Sequence, residues 1–227
     1  MKKQNSTSST QNRYDWRKLG FELVVVFLGV TAGFLLNNWR IERQEKKLEQ
    51  KYITGFLQDL QSNITELELA LKEDSIWLEN ASPLLQTITE RNIPHDSAKT
   101  MMKNIVKFSK LNASKGTYLD IINSGNLNIL SDFKMRSELI NYHQKLNGVE
   151  LFDDFFYQYF NDFVMPFLFK EFDILEVEFN NPEIIHSKQF ANLFAGYFSM
   201  IQQRKATYSD LLKKSYTLKK ILENNKL

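Results

Sequence analysis

The residues with the best spacing for chemistry lie on one predicted helix. His143, Asn147 and Glu150 follow one another at i, i+4 and i+7, so they share a helix face and could form one edge of a metal site. A solvated polar stripe has the same spacing and is the more common cause of it. The adjacent acids Asp153 and Asp154 point in different directions on a helix, so no carboxylate pair is predicted.

Other templates for catalysis are missing from the sequence. The histidines His95, His143 and His186 form no H-x-x-x-H pair, and the glycines form neither a phosphate-binding loop nor a G-x-S-x-G turn. The absence of cysteine excludes disulfides, thiolate metal ligands and cysteine nucleophiles. We therefore predict no catalytic residue, no cofactor and no metal, and an enzyme is the last of three functional readings.

Charge and composition narrow the possible partners. The chain has 227 residues and a net charge of +2, but residues 1–18 hold five basic residues and one acid. The remainder has 24 basic and 26 acidic residues and so lacks the basic surface that nucleic-acid binding needs. With only 8 Gly and 4 Pro, the composition favours long helices over a sheet of many strands.

An apolar segment near the N terminus predicts a transmembrane helix. Leu19–Leu36 contains one charged residue, Glu22, and lies between Trp16 and Trp39. These tryptophans are 23 positions apart, or ~34 Å along a helix, which matches the two aromatic belts of a bilayer. A cleaved signal peptide is the alternative, because residues 30–32 resemble a cleavage site.

This segment also sets the predicted organisation of the chain. We expect a flexible basic tail over residues 1–18, a transmembrane helix over 19–38 and a helical-bundle domain over 39–227. Within the span, Gly29 and Gly33 form a small-xxx-small pattern that would allow a homodimer through close helix packing.

The rest of the chain is predicted to be an all-α bundle of long helices. Helical patterns cover about 97–111, a long stretch from Ser131 or Asp132 to Phe172 with a kink at Pro166, and 187–223, while 174–179 alternates as a short extended segment. Thr117 and Asp120 fit a capping box. In the first helix, Asp74 interrupts an apolar stripe that is spaced by fours and threes and consists of Ile53, Leu57, Leu60, Ile64, Leu67 and Leu71.

Two further features have both a structural and a functional reading. Gly125, within Asn123–Asn126, is predicted to end a helix in the left-handed conformation, although such a polar loop could also bind a ligand. The aromatic block Leu151–Phe172 is predicted to be core, with Phe156 and Phe160 buried. The same block could instead line an apolar pocket near Phe155–Phe163 or meet a membrane surface.

Two stretches resemble an uncharacterised family of bacterial proteins, a domain of unknown function with one N-terminal span. One contains Leu-Asn-Asn-Trp at the end of the span, and the other contains Ile-Asn-Ser-Gly-Asn-Leu. Family members often have two tyrosines where this chain has Tyr142 and His143. The resemblance implies this architecture and a bacterial membrane location, but no activity. The matching residues are Gly33–Trp39, Glu42 and Arg43, then Thr117–Leu127, Arg136, Leu139 and Tyr142.

The sequence thus favours a non-catalytic helical interaction module at the bacterial inner membrane, with the bilayer and an unknown protein as partners. A ligand-binding or sensory bundle with an aromatic-lined apolar pocket is the alternative. Five Lys/Arg precede the span and five follow it by residue 51, so the charges alone do not orient it. A short basic tail usually stays inside, which favours a cytoplasmic N terminus and an extracytoplasmic domain.

Protease treatment of spheroplasts tests both the anchor and its orientation. Protease added from outside should digest residues 39–227 and leave a tag at residue 1 protected in the membrane fraction, because the short basic tail is expected to stay inside. An immunoblot with antibodies to the tag and to the C terminus reads both ends. A protected C-terminal domain with an exposed tag would reverse the orientation, and a soluble chain lacking the apolar segment would show cleavage.

Overall fold

The computed structural model describes residues 16–105 and 109–226, and this part of the chain is all-α, as the sequence predicts. The helices are α1 (Trp16–Ala81), α2 (Leu84–Thr89), α3 (His95–Ile105), α4 (Gly116–Asn123), α5 (Phe133–Tyr159), α6 (Met165–Glu171) and α7 (Lys188–Asn224). Shorter elements are the 3-10 turns Asn126–Ile129 and Pro182–His186, the π-helical turn Phe160–Val164, and the strands β1 (Phe172–Asp173) and β2 (Glu178–Phe179).

The chain separates into two compact units, Met1–Leu48 and Glu49–Leu227. In the first unit, α1 begins at Trp16, and residues 1–15 of the predicted tail lie outside the described residues. Among the described helices, α1 is the one that is long and apolar enough to cross a membrane. Its apolar segment is not buried, which distinguishes it from a core helix.

The core of the unit 49–227 lies between α1, α5 and α7 and is rich in aromatic side chains. Two of its long helices start at side-chain caps: Asp132 accepts from the backbone N–H groups of Lys134 and Met135, and Ser187 from that of Phe190. These caps agree with the helix starts predicted from the sequence.

The predicted helix from Asp132 to Phe172 consists of three pieces. A π-helical turn, Phe160–Val164, separates α5 from α6 just before Pro166. Proline lacks an N–H and its ring crowds the carbonyl four residues earlier, so one wider turn replaces a regular one. The turn re-aims the aromatic side chains that follow it.

The aromatic block divides between two faces. Phe156 and Phe160 are buried, as predicted for the core, whereas Phe155, Phe163 and Phe169 are 56–71% exposed. The prediction of a core block therefore holds for one face only. A helix has room for one buried stripe, and ten aromatic residues in 22 positions exceed it.

One local prediction holds in part, and one was wrong. Of the extended segment 174–179, only Glu178–Phe179 is a strand, paired antiparallel with Phe172–Asp173, and residues 174–177 form the turn between them. The capping box at Thr117 does not form, because α4 begins at Gly116 and the Thr117 N–H donates to Asp59 Oδ2 at 2.9 Å. A tertiary acceptor thus replaces the local one.

Gly125 follows the end of α4 at φ 70° and ψ 14°, in the left-handed region. Its N–H donates to the carbonyl of Ile122, so the residue reverses the chain after the last helical turn. A Cβ at Gly125 would meet no atom within 4 Å, which leaves the backbone conformation as the sole constraint there.

Substitutions at Gly125 should therefore follow conformational preference alone. Gly125→Ala should lower the free energy of unfolding by about 1 kcal/mol, Gly125→Val by more, and Gly125→Asn by less, because Asn tolerates positive φ best. Thermal melts of the purified protein rank the three variants. Gly148→Ala, at an open position inside α5, is the control and should raise stability by up to about 1 kcal/mol. Equal melting of the three Gly125 variants would contradict a conformational role.

Candidate ligand cleft

A cleft of about 710 Å³ opens between α1, α3 and α7, within the unit 49–227. Its apolar wall includes Trp77, Met101, Tyr197 and Ile201, and its polar groups are hydroxyls, amides and carboxylates. The cleft does not coincide with the aromatic pocket that was predicted near Phe155–Phe163. The polar lining residues are Glu73, Asp74, Asn80, Asp96, Ser97, Thr100, Asn104 and Arg204.

The floor of the cleft is a buried ion pair. Asp74 of α1 is 1% exposed and Arg204 of α7 is 5% exposed. Arg204 Nε donates to Asp74 Oδ2 at 2.9 Å and its Nη2 donates to Asp74 Oδ1, which is the bidentate geometry of a guanidinium on a carboxylate. Asp74 therefore does not break the apolar stripe of α1 but is a buried member of it.

Arg204 also joins α7 to the segment after α3. Its Nη1 donates to the carbonyl of Ser109 at 3.2 Å, and its guanidinium lies 5.6 Å from the ring centre of Phe156. Burial acts to lower the pKa of the Arg204 guanidinium, but the hydrogen bonds and the negative charge of Asp74, together with smaller contributions from Tyr208 and Tyr197, raise it overall. The floor is thus a buried ion pair in which all three nitrogens of Arg204 already donate a hydrogen bond.

A second buried carboxylate lies behind this floor. Asp153 of α5 accepts from the Tyr208 hydroxyl at 2.6 Å and from the Leu111 N–H at 3.0 Å. Burial raises the pKa of Asp153, while both hydrogen bonds act to lower it. Its Oδ1 has no hydrogen-bond partner among the described residues. Asp154, by contrast, is exposed and pairs with Lys110 at 2.7 Å, so the two acids do point apart as predicted.

Trp77 forms the aromatic side of the cleft and is itself supported by α7. Its ring lies 5.0 Å from that of Tyr197 in an edge-on arrangement and 6.0 Å from those of Phe194 and Phe198. The Tyr197 hydroxyl donates to the carbonyl of Ile105 at 3.3 Å, which holds α3 against α7. Burial raises the pKa of the Tyr197 phenol, which therefore stays neutral.

The trio of His143, Asn147 and Glu150 does not converge on a metal site. His143 is 4% exposed and stacks on Tyr118 at 3.6 Å, and burial lowers its pKa to about 4. Asn147 is exposed, while Glu150 binds Lys115 at 2.7 Å. Within the described residues, no group of three His, Cys, Asp or Glu side chains could hold a metal ion. The solvated-stripe reading was wrong for His143, because α4 covers it.

The loop Asn123–Asn126 is held by α1 instead of facing an open site. The Tyr52 hydroxyl lies 3.3 Å from Ser124 Oγ and accepts from Asn126 Nδ2 at 3.2 Å. Three more residues of α1 hold the segment 114–131. The side chains of Glu49, Asp59 and Asn63 accept hydrogen bonds from backbone N–H groups of this segment. We call Glu49, Tyr52, Asp59 and Asn63 the polar stripe of α1. The hydrogen bonds from this stripe account for the position of the loop against α1.

The residues predicted within and around the span lie in the first unit. Trp16 is 80% exposed and Trp39 is 59% exposed. A Cβ at Gly29 or Gly33 would meet no atom within 4 Å. The tryptophans are thus exposed, and the two glycines have free space beside them. The lipid contacts of Trp16 and Trp39 and the dimer contact through Gly29 and Gly33 stay predictions.

Sequence reasoning missed the cleft residues Asp74, Trp77, Tyr197 and Arg204. One signal was available: Asp74 follows Leu67 by seven residues, so it occupies a core position of the same helical stripe. An acid at such a position requires a buried cation. Nothing local indicates that the cation is Arg204, 130 residues away.

Removal of either partner of the buried pair should be costly, and removal of both should cost less. Asp74→Leu and Arg204→Met should each lower the free energy of unfolding by about 3–5 kcal/mol, because each leaves an unpaired buried charge. The double variant should recover most of this loss. Denaturation of the full chain in detergent measures all three, with Asp210→Asn in the exposed Lys145–Asp210 pair as a control that costs less than about 1 kcal/mol. Strictly additive losses would show that the pair does not act as a unit.

No protein-family model, curated protein or solved structure matches the chain. The geometry of the cleft and the pattern of the span are therefore the basis for the proposals on function.

Proposed function

We propose that this protein is a membrane-anchored helical binding module whose ligand occupies the cleft between α1, α3 and α7. The observation that carries the proposal is the cleft itself. Its volume of about 710 Å³ falls within the range of roughly 300–1,000 Å³ that small-molecule sites occupy. Apolar and aromatic walls with a few convergent polar groups are also typical of such sites.

The polar groups of the cleft favour binding over catalysis. The two charged groups at its floor, Asp74 and Arg204, are bound to each other, and Arg204 donates to Ser109 as well. A general acid or base must exchange a proton with its substrate, which a group held in such a pair does not readily do. The proposal therefore assigns no catalytic step to the chain.

We place the module at a bacterial inner membrane, with a cytoplasmic N terminus and an extracytoplasmic ligand-binding unit. The exposed apolar segment of α1 and its flanking Trp16 and Trp39 support a membrane anchor. The bacterial location rests on the sequence resemblance, and the orientation rests on the basic N-terminal tail. The open positions Gly29 and Gly33 support a homodimer through the span. The protease experiment above tests the orientation.

A protein partner is the second candidate, and one observation favours it. Phe155, Phe163, Phe169 and Leu175 are between 56% and 94% exposed, although apolar side chains of this size are costly to leave in water. In this alternative the module acts through a protein contact at these side chains, and the cleft is incidental.

A bulky side chain inside the cleft tests ligand binding. Ser97 lines the cleft on α3, so Ser97→Trp should fill part of it. Small molecules that raise the melting temperature of the full chain in nanodiscs should lose this effect in Ser97→Trp, since bound ligand stabilises only the folded state. Lys103→Trp, exposed on the same helix and outside the cleft lining, is the matched control and should keep it.

Small molecules that stabilise Ser97→Trp as well as the original chain would bind elsewhere and would contradict the proposal. If the small molecules stabilised neither Ser97→Trp nor Lys103→Trp, the result would show a general effect of an added tryptophan. The protein-partner function would then be the better account.

A further inference from the structure

We infer that the cleft selects a small organic cation with an apolar body, such as a protonated or quaternary amine. This inference rests on the proposed ligand-binding function and adds the class of ligand. It follows from the excess of carboxylates in the lining, from the aromatic wall at Trp77, and from the hydrogen bonds that Arg204 already makes within the protein.

The lining carries more negative than positive charge. Its carboxylates are Glu73, Asp74 and Asp96, and its one cation is Arg204. The ion pair at the floor is neutral as a unit, which leaves the carboxylates of Glu73 and Asp96 without a counter-ion within the lining itself. Both of these side chains are exposed, so they meet a ligand while remaining hydrated and add no large burial penalty.

Lys99 does not cancel this charge. Its Nζ is 3.4 Å from Asp96 but 3.1 Å from Glu178, so one ammonium is shared between two carboxylates. Lys99 is also outside the lining of the cleft. The mouth therefore keeps a negative potential that would attract a cation and repel an anion.

The aromatic wall suits the same ligand. An indole is the best of the aromatic side chains at binding a cation over its face, and it also packs against apolar groups. Trp77 is half-buried, with Tyr197, Phe194 and Phe198 around it to hold its orientation. An ordered aromatic ring next to hydrated carboxylates matches a ligand with a charged head and an apolar body.

An anionic ligand fits the cleft less well. The guanidinium of Arg204 would be its natural partner, but Asp74 and the carbonyl of Ser109 already accept from it. To bind an anion there, the protein would have to leave the carboxylate of Asp74 buried and unpaired. A hard metal ion is also disfavoured, since no cluster of three ligating side chains exists in the described part of the chain.

Three probes of one shape separate these possibilities. They are 2-phenylethylamine, 2-phenylethanol and phenylacetate, which are cationic, neutral and anionic at neutral pH. The full chain is placed in phosphatidylcholine nanodiscs with Trp16→Phe and Trp39→Phe, so that Trp77 is the one tryptophan left of three. Its fluorescence then reports on the cleft, and empty nanodiscs correct for partitioning into lipid.

The amine should bind about tenfold more tightly than the alcohol, and phenylacetate should bind most weakly. Glu73→Gln and Asp96→Asn should each weaken amine binding by about fivefold and leave alcohol binding nearly unchanged. Glu79→Gln makes the same charge change on α1 outside the lining and should affect neither probe.

The remaining outcomes contradict the inference in distinguishable ways. Equal binding of amine and alcohol, unaffected by Glu73→Gln and Asp96→Asn, would overturn cation selection. If Ser97→Trp, measured by melting temperature because it adds a second tryptophan, also abolished that binding, a ligand cleft would remain in place. Tightest binding of phenylacetate would make Arg204 the recognition group and would also overturn it. A Trp77 signal that responds to no probe would contradict both the inference and the proposed function.

Discussion

The buried pair of Asp74 and Arg204 is the interaction on which the unit 49–227 depends. It joins the first long helix of this unit to the last, and through the carbonyl of Ser109 it also holds the segment that follows α3. Two desolvated charges are tolerated only where their geometry is bidentate and their remaining donors are satisfied. This requirement sets the rotation of α1 against α7, and with it the position of Trp77 and Tyr197 in the cleft.

The polar stripe of α1 holds a second part of the unit, the segment 114–131, against the same helix. Glu49, Tyr52, Asp59 and Asn63 bind backbone and side-chain groups of the segment 114–131, at the ends of α4 and of the 3-10 turn Asn126–Ile129. Backbone groups that lack a helix or sheet partner must be satisfied elsewhere, and here α1 supplies the partners. The same helix therefore supports a polar interface near its Glu49 end and a ligand cleft near Asp74.

Local patterns in the sequence predicted the fold class, the long helices, the helix starts near Asp132 and residue 187 and the left-handed turn at Gly125, because each depends on neighbouring residues. They failed where a distant residue decides. Thr117 lost its capping box to Asp59, His143 is covered by Tyr118, and Asp74 is completed by Arg204. The cleft could not be predicted for the same reason: its walls come from three helices whose pairing no local pattern encodes.

The separation along the chain of the partners that hold this unit together determines the order in which it can fold. Asp74 is made 130 residues before Arg204, and Gln50 precedes its acceptor, the carbonyl of Asn225, by 175. During synthesis, α1 meets the segment 114–131 and α5 first, but the carboxylate of Asp74 has no counter-ion until the final helix follows. The contacts between α1 and α7 can therefore form only in a late, non-local step, and apolar surface that α7 covers stays exposed until then. Shortening the chain from its C terminus by the length of α7 would leave Asp74 without its counter-ion and prevent that closure.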